Sequence, residues 1–137
     1  MRSLAFLMVG IWFLVSCADM TTTPIVTYRV NTGAQQQLAY IQIDANGFVV
    51  RTMAGATDEF QLNQTDFALV LDQLRAANIT TMRLPEITQS SDTTTVFHTI
   101  VSGTNEVTFA DQTAPASVKP LLVTFQRILT VNISTTP

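Results

Sequence analysis

Residues 38–53, LAYIQIDANGFVVRTM, decide the fold, because they predict a β-hairpin. Two strand-like runs, residues 38–43 and 48–53, flank the tetrapeptide DANG at residues 44–47. An Asn-Gly pair between two such runs is a strong hairpin signal, since both residues tolerate the positive φ of a tight turn. Residues 25–30 alternate in the same way and place Val26, Tyr28 and Val30 on one face. The first part of the domain is therefore expected to be three antiparallel strands.

An amphipathic segment after these strands predicts a helix. It begins at a capping residue, either Asn63 or Thr65, and carries Asp66 in its first turn. It ends at Asn78, a residue type that tolerates the left-handed conformation found after helices. Its apolar stripe recurs at helical spacing and consists of Phe67, Val70, Leu71 and Leu74.

A second hairpin and a second helix complete the pattern. Residues 94–101 and 106–109 are predicted strands joined by a turn at residues 102–105. A helix over residues 116–131 begins near Ser117, so that Pro120 falls in its first turn. Its buried face is expected to consist of Leu121, Leu122, Phe125, Ile128 and Leu129. The order βββαββα predicts an α+β domain over residues 25–131, with an antiparallel sheet of about five strands and both helices on one face. Residues 132–137 are expected to form a flexible tail.

The N-terminal segment has the features of an export signal. Arg2 and the free amine give a short positive region, and residues 4–15 form an apolar run of the length typical of a signal peptide. That run is shorter than the ~20 residues that cross a bilayer as a helix. We therefore expect residues 1–16 to be a signal peptide and not part of the fold.

The sequence Leu14-Val15-Ser16-Cys17 resembles the lipobox of bacterial lipoproteins, and Cys17 is the only cysteine of the chain. The resemblance implies cleavage between Ser16 and Cys17, a thioether-linked diacylglyceryl group on the thiol, and acylation of the new amine. Two or more acyl chains anchor a protein stably to a membrane. Because Ala18 and not Asp follows the cysteine, the resemblance implies the outer membrane, with the domain facing the periplasm.

The alternative is an ordinary secretory signal that is cut after Cys17. Three Asn-X-Ser/Thr triplets would suit a glycosylated secreted protein. They begin at Asn63, Asn78 and Asn132. A secreted eukaryotic domain of this size usually carries disulfides, however, and a single cysteine cannot form one within the chain. We therefore favour the lipoprotein, with residues 17–24 as the lipidated cysteine and a tether.

The layout of residues 25–129 resembles that of the emfourin-like domains, small bacterial inhibitors of thermolysin-type metalloproteases. The likeness includes the helix of residues 67–74 with Ala77-Asn78-Ile79 at its end, Asp92 ahead of a strand, and residues 114–122, APASVKPLL, at the start of the last helix. The glycine- and phenylalanine-containing stretch near the start of that family is missing. The resemblance implies a protease inhibitor and assigns no inhibitory residues.

The residue inventory argues against nucleic-acid binding, metal binding and ordinary catalysis. Seven Lys and Arg face ten Asp and Glu, so no basic stripe is available to follow a phosphate backbone. Once Cys17 is lipidated, the domain has one imidazole and no thiol, which excludes the usual zinc ligand sets. That imidazole, His98, lies in an alternating strand with no acidic residue placed in sequence to suggest a triad. We expect no cofactor, no metal and no catalytic residue.

Binding is the remaining function class. The candidate surfaces are the loops at residues 31–37 and 82–91 and the sheet face away from the helices. An exposed apolar and aromatic strip on that face would mark a partner site. The expected partner surface consists of Leu38, Tyr40, Val49, Arg51 and Met53. We expect a lipid-anchored, non-catalytic binding module, with a structural or accessory subunit of a cell-envelope complex as the alternative.

Overall fold

The computed structural model describes residues 22–87 and 92–130. The predicted signal peptide, the predicted cleavage site at Ser16, the predicted lipid attachment site at Cys17 and the predicted tail lie outside the described residues. The strands are β1 (Pro24–Thr32), β2 (Gln37–Asp44), β3 (Phe48–Met53), β4 (Ala56–Gln61), β5 (Val96–Ser102) and β6 (Asn105–Ala110). The helices are α1 (Gln64–Ala77) and α2 (Lys119–Thr130). The strands form an antiparallel sheet in the order β4-β3-β2-β1-β5-β6, which confirms the predicted α+β class.

The predicted hairpin of β2 and β3 is confirmed, and Asp44 stabilises its turn. The Asp44 Oδ1 atom accepts hydrogen bonds from the backbone N–H groups of Asn46 (2.8 Å) and Phe48 (2.9 Å). Gly47 has a φ of +80°, a backbone conformation that residues with a side chain rarely adopt. Its missing Cβ also makes room for the neighbouring helix, since an added Cβ would lie 3.0 Å from Phe67 Cγ.

A sixth strand, β4, was not predicted. Its sequence is ATDEFQ, and five of its six residues are exposed. β4 is an edge strand that pairs only with β3, and Phe60 is its one large apolar side chain. An edge strand needs little apolar surface, so its sequence carries almost none of the alternation by which the other strands are predicted.

Both caps of α1 are confirmed. The Asn63 side chain accepts a hydrogen bond from the backbone N–H of Asp66 (2.8 Å), and Asn78 adopts the left-handed conformation with a φ of +53°. Val70 is fully buried, whereas Leu71 is 37% exposed, so the assignment of Leu71 to the apolar stripe is wrong. Leu71 follows Val70 by one residue, which places it about 100° around the helix.

The core lies between one face of the sheet and the two helices. All five predicted residues of α2 are buried, and α2 begins at Lys119, so Pro120 does lie in the first turn. Phe125 stacks on Tyr28 of β1 with ring centroids 4.6 Å apart. The buried cluster unites side chains of β1, β2, β3, β5 and β6 with side chains of both helices, as the predicted two-layer arrangement requires. Of the helices in the described residues, none is long and apolar enough to cross a membrane.

Candidate functional site

The predicted partner surface is divided between the two faces of the sheet. Residues that lie opposite each other in an antiparallel ladder point to the same side. Val49 lies opposite Ile43, and Arg51 lies opposite Ile41, which is fully buried under the helices. Val49 is accordingly 0% exposed and Arg51 8% exposed. The prediction that Val49 and Arg51 lie on the helix-free face is therefore wrong.

The sequence of β3 explains this error. The strand begins Phe-Val-Val, so apolar side chains occupy both faces and the pattern does not distinguish inside from outside. Leu38 and Tyr40 do lie on the helix-free side, and Leu38 is 40% exposed. Met53 lies opposite Ala39, on the helix side, so its assignment to the helix-free face is also wrong, although the residue is 44% exposed. Two of the five predicted side chains thus share the helix-free face.

Arg51 instead ties the sheet to the end of α2. Its Nη1 atom donates hydrogen bonds to the backbone oxygens of Ile128 (2.6 Å) and Leu129 (3.1 Å). Its Nη2 atom lies 3.2 Å from the Asp58 carboxylate, and the guanidinium carbon lies 5.2 Å from the centre of the Phe60 ring. A cation at a helix C-terminus is stabilised by the helix dipole, so Arg51 acts as a cap and not as a partner contact.

The helix-free face carries a groove of about 520 Å³ between the sheet and residues 82–87. Its floor is formed by side chains on β1, β5 and β6 that alternate with core residues. The floor residues are Arg29, Asn31, Phe97, Thr99 and Thr108. Thr32, Gly33 and Gln35 close one end. The two loops expected to offer binding surfaces, residues 31–37 and 82–91, therefore border the same groove in their described parts.

Hydrogen bonds hold the loop wall of the groove in place. The Asn105 side chain at the start of β6 donates to the backbone oxygens of Ile79 and Met82 (3.1 Å to the latter). Arg83 Nη1 donates in turn to Asn105 Oδ1 at 3.0 Å. At the other end, the Gly33 N–H donates to the oxygen of Thr95 at 2.8 Å. The groove is thus bordered by loops that are fixed to the sheet.

The floor of the groove holds two polar atoms whose hydrogen bonding is incomplete. Arg29 Nη2 donates to Glu106 Oε2 at 3.1 Å. Arg29 Nε and Asn31 Oδ1, a donor and an acceptor, are buried and have no hydrogen-bond partner among the described residues. Leaving such a group unpaired costs about 1–3 kcal/mol, so most buried polar groups have partners. The groove also carries balanced charges, with Arg29 and Arg83 against Glu86 and Glu106.

His98 lies on the opposite face, inside the core, and both of its ring nitrogens are engaged. The Nε2 atom lies 3.1 Å from Asp111 Oδ1, and the Nδ1 atom lies 2.8 Å from the Tyr28 hydroxyl. Because an ionised carboxylate only accepts hydrogen bonds, Nε2 carries the proton, and Nδ1 accepts the proton of Tyr28. Burial lowers the pKa of His98, against the opposing effect of Asp111. Burial also raises the pKa of the Tyr28 hydroxyl, so both groups are neutral at pH 7.

Within residues 22–87 and 92–130, no group of three or more His, Cys, Asp and Glu side chains is arranged to hold a metal ion. A comparison with family models found no match, and a comparison with curated proteins also found none. The resemblance to emfourin-like domains therefore stays a prediction from the order of the elements.

No local sequence signal points directly to the groove floor. Arg29, Thr99 and Thr108 are opposite one another across β1, β5 and β6. In the sequence they are simply the polar members of alternating strands, as expected for any half-exposed sheet. The signal that was available is a charged residue, Arg29, in the middle of a strand otherwise rich in apolar residues.

Proposed function

We propose that the protein is a lipid-anchored, non-catalytic binding module that holds a partner on the helix-free face of its sheet. The anchor is Cys17, and the domain faces the periplasm from the outer membrane. The observation that supports this function best is the groove, where two loops and three strands bring polar side chains together on the face that the helices leave open. Ligand sites are typically concave and combine apolar walls with a few polar groups.

The state of His98 supports a non-catalytic role. A general base must be able to reach the proton that it abstracts. His98 is 4% exposed, lies between the rings of Tyr28 and Phe109, and has hydrogen-bond partners at both nitrogens. This imidazole therefore stabilises the core and is not available to a substrate in the groove.

A contact at Thr22, the first described residue, supports a short tether between Cys17 and the domain. The Thr22 hydroxyl donates a hydrogen bond to Asp44 Oδ2 at 2.6 Å, so the chain is already attached to the domain at this residue. The five peptide units between Cys17 and Thr22 span at most about 17 Å when fully extended. A lipidated Cys17 would then hold the domain close to the membrane surface, where a partner would be an envelope component.

Position-specific crosslinking in intact envelopes tests the proposal. A photo-crosslinking residue replaces Glu86, which is exposed at the rim of the groove, or Val123, which is 65% exposed on α2. We expect a discrete adduct from position 86 and not from position 123. Equal adducts from both positions, or none from position 86, would contradict the assignment of the binding face.

The resemblance to emfourin-like domains suggests one partner class, a thermolysin-type metalloprotease. Incubation of the protein with thermolysin, followed by an activity assay, tests this class directly. Inhibition that is lost when Glu86 and the neighbouring rim are altered would support it. Full protease activity at a large molar excess of the protein would exclude this partner class and leave the groove assignment unaffected.

A further inference from the structure

We propose that the groove binds a peptide through a carboxylate group, which the Nε–Nη2 edge of Arg29 holds side-on, while a nearby amide N–H of the same peptide donates to Asn31 Oδ1. This inference rests on the proposed function and specifies its ligand class.

Of the two nitrogens on the Nε–Nη2 edge of the Arg29 guanidinium, only one has a hydrogen-bond partner among the described residues. Its Nε–H and one Nη2–H point in parallel and match the two oxygens of a carboxylate. Glu106 occupies Nη2 with one oxygen at 3.1 Å, and Nε has no partner among the described residues. The Glu106 side chain is 56% exposed and that of Arg29 37% exposed, and exposed ion pairs of this kind are weak. A ligand carboxylate that displaces Glu106 can therefore engage both nitrogens, provided that the side chains covering the buried Nε atom shift locally as it enters.

Asn31 provides the second contact to the peptide, an acceptor for one of its amide N–H groups. Its Oδ1 atom is a buried acceptor without a partner in the described part of the chain, and it lies two residues from Arg29 on the same face of β1. Two residues of a strand span about 7 Å. A peptide that places its carboxylate on Arg29 carries amide N–H donors at this range. A neutral sugar lacks the carboxylate, and a simple anion lacks the N–H donor.

The charges of Glu106 and Arg29 should affect ligand binding in opposite directions. Glu106 competes with the ligand for Arg29, and its own charge repels an incoming carboxylate. Removing the Glu106 charge should therefore strengthen ligand binding, while removing the Arg29 charge should abolish it. A salt bridge that served only to stabilise the sheet would give the same sign of effect for both substitutions.

The carboxylate has two sources in a peptide, the C-terminus and an acidic side chain. Two matched pairs of probes separate them. The first pair is N-acetyl-trialanine with a free carboxylate and the same peptide with a C-terminal amide. The second pair is N-acetyl-Ala-Glu-Ala-amide and its Gln counterpart. Each pair differs only in the presence of the carboxylate.

The experiment titrates each probe into the ¹⁵N-labelled full chain in detergent micelles and follows two NMR signals. One is the Nε–Hε of Arg29, and the other is the backbone amide of Thr99, which lies opposite Arg29 and is also present in the Arg29 variants. We expect at least one carboxylate probe to shift this signal and to saturate, about tenfold more tightly than its amide counterpart, a difference of about 1.4 kcal/mol. Arg29→Gln should weaken binding at least about tenfold, and Glu106→Gln should strengthen it severalfold. Arg75→Gln, on the far side of the molecule with a 78% exposed side chain, is the matched control and should change nothing.

Equal binding of the carboxylate and amide probes overturns the proposal, as does a lack of saturable binding by all four probes. A loss of affinity on Glu106→Gln overturns it too. If Arg29→Gln fails to fold, Arg29→Lys keeps the charge and removes the side-on edge, so it must still weaken binding. Crosslinking from position 86 that persists in the Arg29 variant would keep the proposed function and overturn the carboxylate inference alone.

Discussion

Replacement of Arg51 by methionine tests how the sheet holds the end of α2. The substitution keeps a long apolar stem against Phe60 and removes the guanidinium that reaches the backbone oxygens of Ile128 and Leu129. These oxygens belong to the last turn of α2, whose carbonyls have no partners within the helix. The substitution therefore leaves two acceptors of a buried helix end without their donor.

The expected loss of stability follows from these contacts. Each charge-assisted hydrogen bond to a carbonyl contributes about 1.5 kcal/mol, and the cation near the helix C-terminus adds about 0.5 kcal/mol. The ion pair with Asp58 adds little, because the Asp58 side chain is 57% exposed and its charge is screened by water. The desolvation that Arg51 no longer requires offsets part of this sum. We expect Arg51→Met to lower the free energy of unfolding by about 3 kcal/mol, or the melting temperature by about 12 °C.

Urea unfolding followed by circular dichroism measures the loss, because Trp12, the only tryptophan of the chain, lies outside the described residues. Arg51→Lys should recover about half of the loss, because it restores the charge without the guanidinium fork. Arg75→Met removes an exposed arginine from a surface pair and should cost under about 0.5 kcal/mol. Equal losses for Arg51→Met and Arg75→Met would refute the capping role.

Three further predictions concern the turns, the core histidine and the anchor. Gly47→Ala should cost about 1–2 kcal/mol more than Gly55→Ala in urea unfolding, because both glycines have nearly the same positive φ and only Gly47 faces Phe67; equal losses would contradict the close packing. The free energy of unfolding should fall as the pH drops below about 6.5, with a slope of at most ~1.4 kcal/mol per pH unit, because His98 binds a proton in the unfolded chain at a pH where burial keeps it neutral in the folded protein. His98→Gln should flatten that slope between pH 6.5 and 5, and an unchanged slope would rule out His98 as its source. Cys17→Ser should leave the precursor unlipidated and uncleaved at Ser16, as measured by mass and by labelling with a fatty-acid analogue, and a lipidated variant would disprove the anchor.

Much of the fold was predictable because its signals are local. The DANG turn, the Asn63 and Asn78 caps and the position of Pro120 each depend on residues a few positions apart. β4 escaped prediction because an edge strand is defined by the neighbour it pairs with and hardly by its own composition. The face of β3 was assigned wrongly for a related reason, since apolar residues at successive positions leave its orientation to the register with β2.

The candidate site was predictable only in outline. The two loops at residues 31–37 and 82–91 were recognisable as surfaces, because they interrupt the periodic segments. Their meeting at one groove depends on the strand order, in which β5 pairs beside β1, and on Asn105, which holds the second loop through hydrogen bonds to Ile79 and Met82. Neither the strand order nor the hydrogen bonds of Asn105 can be predicted from the local sequence.

The sequence by itself determined the types of all strands and helices except β4, the hairpin turn and helix caps, and the prediction of an anchor at Cys17, because each depends on the chemistry of neighbouring residues. Tertiary structure alone decided which side chains face the core and which share a surface. It placed Arg51 under α2 and set Arg29 beside Asn31 on the open face, each according to strand pairing between distant segments. A strand has two faces and a period of two, so a single step in register exchanges its buried and exposed residues. Which face of a strand is buried therefore depends on the pairing of the whole sheet and on the helices packed against it, and it cannot be predicted from any short stretch of the chain.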